Sequence, residues 1–347
     1  MTETVRLSHP ADYLAIVPYL LGFHPAMSLM ILAFRDGALI TGMRHDLPGT
    51  AREHDDVIAS TVGVLARNKA DAVTVIGYGP SDQVTQPLDS LSDAITDTGM
   101  VVLQLLRCEH NRYWSQLETS PDDGFPYDIS TTTAAMAAVV AGLCPLPDRA
   151  AVAACVAAVD GPDRQAVREA TGPARERAET LLATASPRYW YDEGLHQVHD
   201  AFARSADDEP ITPEQLAWLG VLLTSILVRD AAMTLLGTYP EEAHIKLWSE
   251  VTRRAEPGYV AAPALLLAFA AYISGAGTLT RTALDRALAD NPTYSFAVML
   301  DYALVNGLPG SMLHEMRIGE LAEQIEAQIE RCPRAALPRL PIQAEER

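Results

Sequence analysis

Apolar positions follow two alternating rhythms over roughly the first third of the chain. Leu14, Val17, Leu20 and Leu21 share one side of a helix that opens at Ser8-His9-Pro10, where the serine can cap and the proline suits the first turn. Pro18 inside it predicts a kink or a break. That helix is expected to end at Gly22 and to turn through Phe23-His24-Pro25 into a buried strand, an unbroken apolar run over 29–34. Asp36-Gly37 is a hairpin signal, and 38–46 returns as a second strand. Val57, Ile58, Val62 and Leu65 mark a helix over 53–68, and 72–76 is a short β-branched strand. Leu88, Leu91 and Ile95 mark a helix capped by Ser81 or Asp82, which Pro87 is expected to break. Residues 100–106 form the last buried strand, which 112–116 either joins or leaves. The order helix-strand-strand-helix-strand-helix-strand predicts an α/β domain, a mixed sheet covered by helices.

From Ser130 onward the strand rhythm gives way to helical periodicity. Patches are predicted at 131–143, 149–159, 163–185, 192–205, 213–236, 240–255, 262–274, 279–288, 293–305 and 313–331, punctuated by proline and glycine. The fold class is therefore an α/β N-terminal domain followed by an all-α helical domain. Residues 264–292 resemble one tetratricopeptide-type helix pair around Gly275-Ala276-Gly277, without second and third copies. Ser120-Pro121-Asp122-Asp123-Gly124 is a turn cluster. It sets the expected division: a sheet domain over 1–120, a helical domain over 121–332 and a disordered tail over 333–347.

Charge narrows the partners. The net charge is −19, spread evenly over both halves, which leaves no basic footprint for nucleic acid and disfavours anionic membrane surfaces. The most apolar run, 260–273, is about 14 residues long and holds Pro263, too short to span a bilayer. Cys108, Cys144, Cys155 and Cys332 show no C-x-x-C pair and read as reduced thiols, and the first residues lack a signal peptide's basic and apolar regions. A cytoplasmic protein is the expectation.

Several stretches together carry a resemblance. They are Leu7-Ser8, Pro18-Tyr19-Leu20-Leu21-Gly22-Phe23-His24-Pro25 and Ser28-Leu29, then Arg44, Asp46-Leu47-Pro48, Gly77-Tyr78-Gly79-Pro80 and Arg112-Tyr113-Trp114-Ser115. Val228-Arg229-Asp230-Ala231 and Ala283-Leu284-Asp285-Arg286-Ala287-Leu288 with Asp290-Asn291-Pro292 continue it. The chain resembles an actinobacterial family of uncharacterised proteins sharing a domain of unknown function. The resemblance implies architecture and no activity. Other members carry cysteines after the Trp-Ser pair. Here Gln116-Leu117-Glu118-Thr119-Ser120 has none, so no thiol or metal role carries over.

Three constellations bear chemistry. His24 could serve as a general base oriented by Ser28 or Asp46, against the simpler account of a helix C-cap at Gly22. Gly77-Tyr78-Gly79-Pro80-Ser81 is a strand-loop-helix turn whose glycines let a ligand approach and whose helix start suits an anion. It is neither a dinucleotide fingerprint nor a phosphate loop. Arg112 and Trp114, from the neighbouring strand end, would complete that site. In the helical half, Glu193-x-x-His196 and Glu241-x-x-His244 form half of a di-metal pattern, at a frequency near chance. Arg229-Asp230 inside an apolar helix reads as a buried ion pair.

The leading expectation is a non-enzymatic interaction or regulatory protein docking a protein partner through its helical half. The alternative is a small-molecule binder or enzyme, for a nucleotide or other anion, using loops at the carboxyl ends of the N-terminal strands. It requires His24 and the 77–81 loop to meet.

Overall fold

A computed structural model describes residues 7–140, 142–310, 318–331 and 333–341. The chain divides into two compact units, one taking in the residues up to Ala151 together with Val305–Pro309, the other Val152–Leu304 and the residues from Gly310 onward. The expected boundary at 120/121 falls instead in the turn between two paired strands of the first unit.

The first unit is built on a six-stranded sheet in the order β2-β1-β3-β4-β5-β6. Its strands are β1 (Ser28–Arg35), β2 (Ala38–Asp46), β3 (Ala72–Tyr78), β4 (Val101–Glu109), β5 (Arg112–Ser115) and β6 (Phe125–Pro126). Only β3 and β4 run parallel, and every other pairing is antiparallel. Between Ser28 and Arg35 β1 is apolar, in keeping with both of its faces being covered. Leu29, Ile31 and Ala33 pack under α2 (Ala51–Arg67) and α3 (Ser81–Thr96), while Met30, Leu32 and Phe34 pack under α1 (Pro10–Leu21). Asp36 and Gly37 both take positive φ, as a two-residue hairpin turn demands, and His110-Asn111 does the same between β4 and β5. Residues 112–115 therefore stay in the sheet.

α1 starts with the Asp12 carboxylate accepting from the Ser8 and His9 N–H groups. It runs unbroken through Pro18 to a left-handed Gly22, and α3 likewise runs through Pro87, so neither proline ends its helix. Phe23 is then buried and bridged to Leu146, and α4 (Thr133–Val140) packs on α1.

The second unit is helical. It contains α6 (Pro162–Leu182), α7 (Pro187–Ala206), α8 (Pro213–Leu223), α9 (Ile226–Thr234), α10 (Glu241–Arg254), α11 (Ala261–Ile273), α12 (Gly277–Asp290) and α14 (Ile318–Arg331); α5 (Arg149–Ala154) and α13 (Ser295–Val305) lie where the chain passes between units. Trp190, Phe202 and Trp248 fill its centre, and α11 is buried on all sides. The predicted single helix over 213–236 is two helices bent by 105°. The cause is local: Ser225 accepts from the Val228 N–H and caps a new helix. No single helix among the described residues is long and apolar enough to cross a membrane.

Tail residues 333–341 pack rather than float. Ala336 is buried, the Ala335 carbonyl accepts from Ser225 and the Arg339 N–H donates to Thr224. Residues 342–347 lie outside the described set, as does Cys332.

Candidate functional site

The strand ends of the first unit carry a polar rung. Asp46, Ser28, Tyr78, Cys108 and Tyr113 are successive register partners across β2, β1, β3, β4 and β5. Register partners point to the same side of a sheet, here the side covered by α1. The next rung on that face has Met30, Ile76 and Leu106 at its centre, flanked by Arg44 and Ser115. Ser28 and Tyr78 are both buried, and neither hydroxyl has a hydrogen-bond partner.

Above the rung lies a cavity of about 390 Å³, within the size range of small-molecule sites. Its floor is Tyr78 (7% exposed) and Cys108 (4% exposed), with the half-buried Tyr127 beside them. Cys108 Sγ and Tyr127 Oη are 2.8 Å apart and satisfy each other. Leu14 and Pro18 of α1 form an apolar wall. His24, Met27, His110 and Asn111 stand exposed at the rim. Such a crevice beyond the carboxyl ends of parallel strands is where open α/β sheets gather ligands.

The floor is uncharged. Burial pushes the Tyr78 hydroxyl well above the usual tyrosine range and the Cys108 thiol up to about 11. Burial also raises Tyr127, with Cys108 adding to it. Around neutral pH all three stay protonated. Glu109, at the mouth, is bonded by Arg107 at 2.8 Å, and that guanidinium in turn stacks on Trp114 at 3.6 Å.

The structure brings some of the sequence-derived residues together and separates others. His24, Tyr78 and Gly79 line this one cavity. Gly79, at φ 145°, donates its N–H to the Cys108 carbonyl at 3.0 Å. A side chain there would press on Val84 and Met27, so the glycine lets the Met27 loop close over the strand end. Gly77 has another purpose: a Cβ on it would lie 2.1 Å from Val84, so it is absent to let α3 sit close on β3. Ser81 is exposed and bonds Thr85, outside the lining.

Ser28 shares the rung beneath the cavity. Asp46 lies at the rung's far end, where Arg44 and Arg149 hold its carboxyl below the usual range although partial burial works the other way. Neither orients His24: the Ser28 hydroxyl has no partner, and the Asp46 carboxylate is taken by the two arginines. Arg112 and Trp114 do not reach the cavity. The Arg112 guanidinium binds Asp123 and the Gly124 carbonyl, and the Trp114 indole N–H donates to the Asp122 carbonyl, so both pin the β5–β6 turn.

The four helical-half residues do not assemble. Glu193 accepts from the Trp218 indole at 2.8 Å, and His244 accepts from Trp248 within the aromatic core while His196 is exposed. No group of three or more His, Cys, Asp or Glu among the described residues could hold a metal ion. Arg229 is buried and bonds its neighbour Asp230 at 2.8 Å, with Tyr294 and Phe296 against the guanidinium.

Sequence pattern alone missed Met27, Cys108, Glu109, His110, Asn111 and Tyr127. Only His110-Asn111 left a trace, as a turn-prone pair between two strand-like runs.

Fold and cavity together define a mixed α/β unit with a ligand-sized crevice at its parallel strand ends, joined to a helical unit. A family model described as Domain of unknown function (DUF4192) matches residues 10–311, and the chain belongs to that family. No curated protein and no solved structure matches it.

Proposed function

We propose that this chain binds a small organic molecule in the cavity at the carboxyl ends of β3 and β4. The observation that carries the reading is the cavity itself: about 390 Å³, at the ends of the parallel strands β3 and β4, over the buried Tyr78 and Cys108 and beside the half-buried Tyr127. The residues favour binding over covalent catalysis. The Cys108 thiol is buried and held protonated, which makes it a poor nucleophile.

The test is native mass spectrometry of gently purified protein beside the variant Ala26→Trp, whose bulk would cover the cavity mouth from an exposed position. A small-molecule adduct on the wild type that the variant loses supports the reading. Equal occupancy of both, or of neither, sinks it.

A second reading keeps the protein partner. On α4, Met136, Val139 and Val140 present an apolar face at helical spacing, with Val140 84% exposed. The α11–α12 hairpin, of tetratricopeptide-like pattern, would give the helical unit one such repeat. A regulatory protein could use both, sensing a ligand in one unit and docking through a helical face.

A further inference from the structure

We propose that the groove between α7 and α9 is a docking site for an amphipathic helix of a protein partner, and that α14 is a displaceable segment of this chain that fills it in the free protein. The groove belongs wholly to the helical unit, so the cavity reading neither supports nor limits it. Tyr191 and Leu195 of α7 and Leu227 and Ala231 of α9 line it, and α14 lays Leu321, Ile325 and Ile329 against them, one apolar residue per turn. The walls do not depend on this occupant. α7 and α9 meet at Gly194, where a Cβ would lie 2.5 Å from Val228 Cγ2. On their other sides, Trp190 and Val198 of α7 and Val228 and Ala232 of α9 are held in the main core of the unit. Both walls also fall inside the residues 10–311 matched by the family model, while α14 falls outside them.

α14 is weakly held. Among its described side chains only Ile325 and Ile329 are buried. Its ion pair, Glu326 with Arg188 at 2.6 Å, is half exposed on both sides and contributes little. Its charge opposes docking, since four glutamates and one arginine approach a chain that is itself strongly acidic. An element with so few buried apolar side chains opens while the rest stays folded. Residues 333–341 then keep it near the groove: Leu337 and Leu340 pack on the main core, Ser225 donates to the Ala335 carbonyl and Thr224 accepts from the Arg339 N–H. The helix that fits best has large aliphatic residues at i, i+4 and i+8, a carboxylate just past the middle one to meet Arg188, and fewer acids on its outer face than α14 has at Glu323 and Glu330. A second copy's α14 would bring the same excess of acids, so the favoured occupant is a different chain.

The experiment combines hydrogen exchange with peptide binding, both on the full chain. In the wild type the α14 amides should exchange on the order of tenfold or more faster than those of α7 and α9. Equal protection overturns the inference. Ile325→Asp/Ile329→Asp should free the groove and leave the unit folded, as a thermal melt checks; a variant that unfolds as a whole shows α14 to be core and overturns it too. Two fluorescein-labelled peptides are then titrated by anisotropy: residues 318–331 unaltered, and the same peptide with Glu323→Lys and Glu330→Lys. The folded variant should bind both, the lysine peptide on the order of tenfold tighter, and Ala231→Glu added to that variant should abolish binding. The wild type should bind the lysine peptide more weakly than the variant does, with faster exchange at its own α14 as it binds. Peptides that ignore the folded variant, or that bind it regardless of Ala231→Glu, sink the docking site. The unaltered peptide binding as tightly as the lysine one would make a second copy an equal occupant and overturn the choice of a different chain.

Discussion

Tyr78 and Cys108 are register partners across the sheet's parallel β3–β4 ladder, yet their polar atoms meet different fates. The thiol has Tyr127 at 2.8 Å, whereas the Tyr78 hydroxyl has nothing. Backbone pairing places the two side by side, and only the shorter side chain is satisfied from β6's edge.

That contrast gives the first prediction. Tyr78→Phe removes an enclosed polar atom without opening a cavity, so the ligand-free protein should gain about 1 kcal/mol. Cys108→Ala should lose stability, because it strips Tyr127 of its partner and removes buried volume. Urea unfolding of both variants, with ligand removed, checks the opposite signs.

Gly77 supplies a second. An alanine there would put its Cβ 2.1 Å from Val84 Cγ1, and α3 must shift or Val84 must change rotamer. The expected loss is about 1–3 kcal/mol, typical of overpacking. Val84→Ala in the same chain should recover part of it, which makes the double-mutant cycle non-additive. Additive losses would mean that the contact is not the cause.

Much of this fold is legible from local chemistry. Asp36-Gly37 names its own turn, Gly22 ends its helix, and the apolar run of β1 announces a strand covered on both faces. What fails is whatever depends on who sits opposite. Ser28, Asp46, Tyr78 and Cys108 are far apart in sequence, and their shared rung follows from a strand order that periodicity does not encode. The two glycines of Gly77-Tyr78-Gly79 look alike in sequence, but one admits a helix and the other a loop. Arg112 and Trp114 have the chemistry of ligand groups. They are instead consumed by the turn 122–124, whose backbone carbonyls leave no mark in a residue pattern. Pro18 and Pro87 signalled breaks that the flanking packing overrides.

Asp290 carries a third prediction. At the end of α12, its carboxylate accepts from the N–H groups of Gly258, Val260 and Ala261 at 2.6, 3.1 and 2.9 Å, fixing the start of the buried helix α11. Asp290→Ala should destabilise the helical unit by about 2 kcal/mol, at the upper end for a lost cap because the bonds are charge-assisted. Asp290→Asn should fall between the two, since its single carbonyl oxygen can keep some of these bonds. Hydrogen exchange at the α11 N-terminus would localise the effect, and unchanged protection there would refute the capping role.

His244 sets the last. Its imidazole is 1% exposed, packs at a tilt against Phe202 and accepts the Trp248 indole N–H at 3.2 Å. Burial holds its pKa down to about 4, against about 6.5 in the unfolded chain. Above pH 7 both states are neutral there and the residue contributes no pH dependence. As pH falls below about 6.5 the unfolded chain takes up a proton that the folded one refuses, so stability falls with pH. The loss levels off below about 4, after roughly 3 kcal/mol. His244→Phe removes the titration: whatever its stability at pH 7.5, its urea midpoint should decline less between pH 6.5 and 4.5 than that of the wild type. Parallel declines would show that His244 is not the buried neutral group this geometry makes it, and would move the acid sensitivity to the carboxylates.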